Sequence, residues 1–234
     1  SNRGAGSIDI YRHRTLAQRA NRDYPKDGVD DRIQFCNGMV FNDHDHEKTE
    51  MKTDVPLDFA GFLKRKRRRN VELASILDYE VKKAYARVKG DISAAVERDC
   101  RLWTRELVYL GYKYLLVLDR VETQDIPVVR KWQMHFTAEP KVDGTLAVTT
   151  VGEGRLFCRT LLPEGAKISG EKVGKWHRHV VQPKDDKQKK SVFLHVLFPT
   201  DAGTAAMPDC SLERKGPELV VEVGDLSYTF RQDK

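Results

Sequence analysis

The sequence of 234 residues has no apolar run approaching the roughly 20 residues that a membrane helix requires. Its longest apolar stretches, 114–118 and 192–197, are far shorter. No charged-then-apolar leader opens it, so the chain itself carries no visible secretory signal. Its four cysteines, Cys36, Cys100, Cys158 and Cys210, stand 64, 58 and 52 residues apart. Without a Cys-x-x-Cys pair there is no zinc-knuckle spacing. Cys158 lies in an apolar, strand-like run and reads as a buried thiol, whereas spacing leaves one disulfide among the other three open. Neither an internal repeat nor a Pro- or Gly-rich linker is present. Gly-x-Ser-x-Gly, a phosphate-cradling glycine loop and His-Glu-x-x-His are also missing, so spacing alone assigns no catalytic site.

A basic surplus is missing from most of the chain as well. Lys and Arg number 41 against 35 Asp and Glu, a formal charge of +6. Lys64, Arg65, Lys66, Arg67, Arg68 and Arg69 hold the whole excess, since without them 35 basic residues face 35 acidic ones. A protein that grips nucleic acid over a broad face spreads its cations along that face. The run also lacks interleaved aromatics for stacking on bases, so nucleic acid is not the expected partner. Three readings of the run remain: a solvated segment or edge protector, a nuclear-import or nucleic-acid clamp, and a contact for a sulfated or carboxylated polysaccharide.

What the sequence does have is 40% apolar residues, enough for a packed core, and alternation with period two broken by turn residues. Residues 103–110 and 114–121 flank Gly111-Tyr112-Lys113 and predict an antiparallel hairpin. The second of these runs is nearly all apolar, which suits a strand buried on both faces. Residues 130–136 alternate too, with Trp132, Met134 and Phe136 on one face and Gln133 and His135 on the other. Further strands are expected at 146–151, 155–162, 176–181, 192–198, 219–223 and 226–230, with 71–81 and 84–89 in the first half. Only 91–98 offers a helix, short and capped by Asp91. Ten or so strands with almost no helix predict an all-β fold, a large two-layer antiparallel β-sandwich. Residues 1–234 are expected to form one domain, with 163–174 the best place for any sub-domain boundary.

Asp43-His44-Asp45-His46-Glu47 is the most ligand-dense segment. In extended chain His44 and His46 share one face, but no third ligand is identifiable, so a polar loop is the expected role. His177 and His179 share a face of a predicted strand, their Cα atoms roughly 6.6 Å apart. Their neighbours Lys175 and Arg178 suggest that this face is solvated. His135 and His195 each lie inside an apolar strand, where a satisfied, half-buried imidazole is expected.

Several segments taken in order resemble the heparinase II/III-like polysaccharide lyases. They are Tyr114-Leu-Leu-Val-Leu-Asp-Arg-Val-Glu122, Lys131-Trp-Gln-Met-His-Phe136, Glu139-Pro140 with Val142-Asp143-Gly144, Gly154-Arg-Leu-Phe-Cys-Arg-Thr-Leu-Leu-Pro163 and Phe193-Leu-His-Val-Leu197. Ala84-Tyr-Ala-Arg-Val-Lys-Gly-Asp91 and Thr104-Arg-Glu106 precede them, and Arg14-Thr15-Leu16-Ala17 resembles the family's Arg-Thr-x-Ala-His-Asn segment. The resemblance spans roughly residues 14–197 and is weakest over 19–70.

That resemblance implies the later part of a two-layer β region that, in the family, follows an N-terminal α/α toroid. It also implies β-elimination of uronate-containing polysaccharides. Such elimination needs a base for the C5 proton, a group that neutralises the carboxylate and an acid for the leaving oxygen. The family draws its principal Tyr, His and neutralising residues from the toroid. Another catalytic His and the first metal ligands come from strands upstream of Arg14. The chain is therefore expected to be inactive alone, with no catalytic residue, no cofactor and no metal. Where zinc-bearing members place a His ligand this sequence has Gln18, a poor zinc ligand beside imidazole, and Arg19 replaces the Asn after it. An anionic polysaccharide is the expected partner. Lys64, Arg65, Lys66, Arg67, Arg68 and Arg69 are its expected contacts, with Arg105 and Lys131 as weaker ones. The alternative is a non-catalytic polyanion-binding module using the same run, and a third class is a structural β domain. By resemblance the location is periplasmic or secreted.

Overall fold

The computed structural model describes residues 6–20, 36–41, 74–96, 100–124, 128–185 and 188–231. In chain order the strands begin with β1 (Ile10–Arg12), β2 (Arg14–Ala17), β3 (Gly38–Phe41), β4 (Ser75–Lys82), β5 (Tyr85–Asp91) and β6 (Cys100–Leu110). Next come β7 (Tyr114–Thr123), β8 (Arg130–Phe136), β9 (Lys141–Asp143), β10 (Leu146–Val151), β11 (Gly154–Leu162) and β12 (Lys167–Val173). The last are β13 (Trp176–Gln182), β14 (Lys190–Asp201), β15 (Cys210–Lys215), β16 (Glu218–Val223) and β17 (Leu226–Phe230).

These strands form three antiparallel sheets. The first runs β1-β2-β8-β13-β12, with β3 also paired to β8. The second has eight strands in the order β4-β5-β6-β7-β14-β11-β10-β9, and the third is β15-β16-β17. The hairpin predicted around Gly111 is β6–β7, and β7 is buried on both faces as its composition requires. Val117 and Val121 point from it into the core shared with the first sheet. Tyr114, Leu116 and Leu118 point the other way, into the core shared with the third. Full burial of one such side chain contributes about 1.5–3 kcal/mol. The predicted sandwich is the first and second sheets, and the third sheet adds a layer to its outer face.

Two turns show how local sequence sets this geometry. Gly111 has a positive φ of 57° and the side chain of Leu226 occupies the place of a Cβ, so a larger residue is blocked twice over. Gly154, opening β11, lies so close to the Arg12 carbonyl that a Cβ would collide with backbone. The predicted helix is a single 3-10 turn, Ser93–Ala95. The N-cap is Ile92 rather than the expected Asp91, whose carboxylate accepts the Ser93 N–H at 2.8 Å from one residue further back, and Ser93 Oγ accepts the Trp103 N–H at 2.9 Å. The turn is thereby tied to β6. The 163–174 stretch carries the chain from β11 in the second sheet to β12 at the edge of the first.

The second sheet is wider than either neighbour, and its β4–β5 hairpin overhangs both. Ile76, Tyr79 and Val81 pair with Gly90, Val88 and Ala86 and share the side that faces the first sheet. They are 71%, 74% and 71% exposed. Asp78, Glu80 and Lys82 pair with Lys89, Arg87 and Tyr85 on the side that faces the third sheet.

Candidate functional site

The densest polar constellation lies inside the sandwich. Asp119 is fully buried on β7 and receives the Trp103 indole N–H at 2.7 Å and two Arg105 donors, Nε at 2.7 Å and Nη2 at 2.8 Å. The remaining Arg105 nitrogen donates to the carbonyls of Gly6 and Asn37. Asn37 in turn accepts the His135 backbone N–H at 2.8 Å and donates to the Ile8 carbonyl at 2.8 Å. This network ties Gly6, Ile8 and Asn37 to both sheets. All its charge is spent internally.

Arg105, expected as a contact for an anionic chain, is therefore a core residue only 3% exposed. An arginine opposite Gly90 on the inward face of β6 has no path to solvent. Lys131 is half-buried on β8 opposite Val40, so the two do not form a common surface. The run from Lys64 to Arg69 and the cluster holding His44 and His46 lie outside the described residues.

Gln18 follows β2, its backbone N–H donating to the His135 carbonyl at 3.2 Å, while the Arg19 N–H donates to Asp9. The imidazole nearest this point already faces the Asn37 amide oxygen at 3.1 Å. Among the described residues no three His, Cys, Asp or Glu side chains gather around one point. The donor set at Gln18, an amide beside an engaged imidazole, does not fit the family's zinc.

The face shared by His177 and His179 is turned inward, half-buried at His177 and buried at His179. Their strand partners are Phe136 and Met134, so both point between the sheets, and His179 is 1% exposed. His179 packs edge-on against Phe136, and His195 stacks on Trp132 with ring centroids 3.7 Å apart. Burial holds His135 down to about 3 and His179 to about 4, and lowers His195 well below its ordinary value. All three are neutral core groups, His135 and His195 fully buried rather than half-buried. Cys158 is the buried thiol expected, raised to about 12 by burial, and none of the four cysteines forms a disulfide.

A second constellation opens to solvent. A groove of about 720 Å³ separates the β4–β5 overhang from β17. Its floor takes Asp78, Glu80 and Lys82 at alternate positions of β4, preceded by Leu77 at the register shift, with Tyr85, Arg87 and Lys89 from β5. Its wall takes the consecutive residues Ser227, Tyr228 and Thr229. Neighbouring residues of a strand face opposite ways, so three in succession line a groove only along the strand edge.

The groove's carboxylates are already paired. Arg87 donates to Asp78 and lies 3.5 Å from Glu106, which also has Arg120 at 3.8 Å and the Tyr228 hydroxyl at 3.3 Å. Glu80 is held by Lys82 at 2.8 Å and by the Tyr85 hydroxyl at 2.5 Å. Hydrogen bonds from Arg87 to Asp78, and from Lys82 and Tyr85 to Glu80, keep both carboxyls below the usual range. Sequence reading found both strands but not the groove. The signal was the alternation Asp78-x-Glu80-x-Lys82 against Tyr85-x-Arg87-x-Lys89, which puts six polar groups on one side of a hairpin.

No protein-family model matches the chain, and no curated protein matches it in sequence. Solved structures do share its fold. A heparinase III gene product with methylated lysines superposes over 97% of this chain with a TM-score of 0.69 at 11% identity. Heparan sulfate lyase HepC from Pedobacter heparinus superposes over 74% with a TM-score of 0.54 at 14% identity. A further heparinase III structure covers 67% with a TM-score of 0.55 at 12% identity. The chain spans about a third of the first two proteins, 35% and 32% of their lengths. Nearly the whole of the β architecture thus shares its fold with a region of the first of these proteins.

Proposed function

We propose that this chain is the β-sandwich portion of a heparinase II/III-like polysaccharide lyase, where it walls one side of the polysaccharide cleft and has no activity of its own. The observation that carries the reading is superposition of nearly the whole chain on a third of a heparinase III, together with the ordered segments from Arg14 to Leu197 that resemble the family. At such identity the likeness speaks for the fold, and the chemistry follows from what is present. Among the described residues, the titratable groups of the interior are spent on one another or held neutral, as Arg105 with Asp119 and His179 illustrate. Neither set offers a base and an acid on opposite sides of a sugar.

One feature of the surface and one of the sequence support a role inside a larger protein. The exposed row Ile76, Tyr79 and Val81 is an apolar face of the kind that packs against another domain. The charge excess confined to residues 64–69 gives an acidic polysaccharide a contact, and Lys131 is a second, weaker one. A periplasmic or secreted location accords with a uronate polymer as substrate. The test incubates the 234-residue chain with heparin, heparan sulfate and alginate while following the absorbance of unsaturated uronate. No turnover is expected, and sustained turnover rejects an inactive wall.

The confinement of the charge excess also favours a second reading, a polyanion-binding module without an enzymatic parent. Here retention on a heparin matrix should be salt-sensitive and should fall sharply when residues 64–69 become alanine. Unchanged retention removes the run from both readings. A parent reading frame without an upstream helical toroid would favour the module.

A further inference from the structure

The third sheet ends at β17, and the space beside it is the groove over β4 and β5. In the second sheet β6 lies beneath β17, joined to it by the Tyr228 hydroxyl bonding Glu106. One strand further out, the layer below continues as β5 and β4, whereas the layer above stops. We propose that this groove is a peptide-docking site, in which an extended, acidic segment of a partner protein adds as a fourth strand to the edge of β17. The proposal stands apart from the lyase reading, since it concerns the opposite side of the overhang from the apolar row and involves no sugar chemistry.

Three observations point to a polypeptide. First, the wall is the edge of a strand, and the main-chain N–H and C=O groups along such an edge match another extended backbone. Second, the overhang is long enough. The eight residues of β4 and five of β17 run beside the groove, room for roughly five added residues at ~3.3 Å each. Third, the floor suits a strand whose downward side chains are polar. Tyr85 and Tyr228 meet edge-to-face at 5.1 Å and close the inner end. Beyond them the floor is mostly charged, with Leu77 its one aliphatic side chain, too little apolar surface to bury a hydrophobic strand.

The sign of that charge selects the partner. The lining holds the carboxylates Asp78, Glu80 and Glu106 against the cations Lys82, Arg87, Lys89 and Arg231, one cation in excess. Each of the three carboxylates already accepts from a groove residue. Arg231 is 86% exposed at the end of the wall, and its nearest acidic partner is 3.8 Å away on the far strand β16. An incoming strand with carboxylates at alternate positions meets this surplus, whereas one with lysines meets repulsion.

The test is a 1H–15N titration of the full chain with an end-blocked octapeptide of alternating glutamate and threonine. Expected are shifts and slowed amide exchange over Leu226–Phe230, with shifts at Arg87 and Lys89. A lysine–threonine octapeptide should bind about tenfold more weakly. Replacing the peptide's threonines with proline should abolish binding, because proline has no N–H for the ladder. In the protein, Lys82→Glu with Arg231→Glu, both at exposed positions, should reverse the preference between the acidic and basic peptides. Three results overturn the proposal. They are no response at millimolar peptide, the same shifts from a heparin-derived hexasaccharide but none from peptide, and β17 protected without peptide in a chain that light scattering shows to be dimeric.

Discussion

Asp119 is tolerable at zero exposure only because Trp103 and Arg105 aim three donors at its two oxygens. Arg105 fits the task where lysine would not, since its planar fork spans both carboxylate oxygens and leaves Nη1 for the Gly6 and Asn37 carbonyls. Breaking a buried pair from one side strands the other charge, a cost of about 3–5 kcal/mol, whereas replacing both partners with apolar residues is often close to neutral. Arg105→Met should therefore destabilise the chain by about that amount in urea unfolding. Arg105→Met with Asp119→Leu should recover most of the loss, leaving the cost of the unpaired Trp103 indole and the two carbonyls. Equal losses in the single and double variants would show that the arginine acts through packing alone. A solvated contact for polysaccharide, as Arg105 was expected to be, would show almost no stability effect.

At the scale of elements, the hydrophobic alternation was legible wherever one strand explains itself. Residues 114–121 announce β7 because a nearly all-apolar run suits a strand covered on both sides, and the turn at Gly111 announces its partner. The wrong orientation of His177 and His179 shows where such reading stops. Lys175 and Arg178 lie beside them in sequence, but period two puts Arg178 on the opposite face, where it bonds Glu171. Deciding which face is inward needs the register to β8, a non-local fact. Arg105 was misplaced for the same reason, since its lone acidic partner sits inside the apolar run of β7, across the β6–β7 hairpin. The groove was hidden differently. Each of its strands was visible, but its walls come from residues some 150 positions apart, joined only when the third sheet closes over the second.

For the whole molecule, the interior of the sandwich sets a limit on the acidity the fold tolerates. His135, His179 and His195 lie in or beside the first sheet's core, and burial favours the neutral ring at each. Among the described residues neither ring nitrogen of His179 has a hydrogen-bond partner, so nothing nearby stabilises its protonated form. An unfolded histidine titrates near 6.5, about 2.5 units above the folded His179 and 3.5 above the folded His135. Below about pH 6.5 the unfolded chain therefore binds protons that the folded chain refuses, and stability falls as pH falls. The fall continues until the folded rings titrate, near 4 for His179 and 3 for His135. One pH unit into that window costs about 1 kcal/mol per histidine, enough to matter against a marginal total of ~5–15 kcal/mol. Urea midpoints at pH 7.5 and 5.5 should differ accordingly, with an unchanged slope because the same surface unfolds. His179→Phe, which keeps a ring against Phe136, should remove about a third of the difference, and carboxylates contribute little because they titrate lower. Identical midpoints at the two pH values would mean that the three imidazoles take up protons without leaving the core, and would contradict the packing that makes this interior dry.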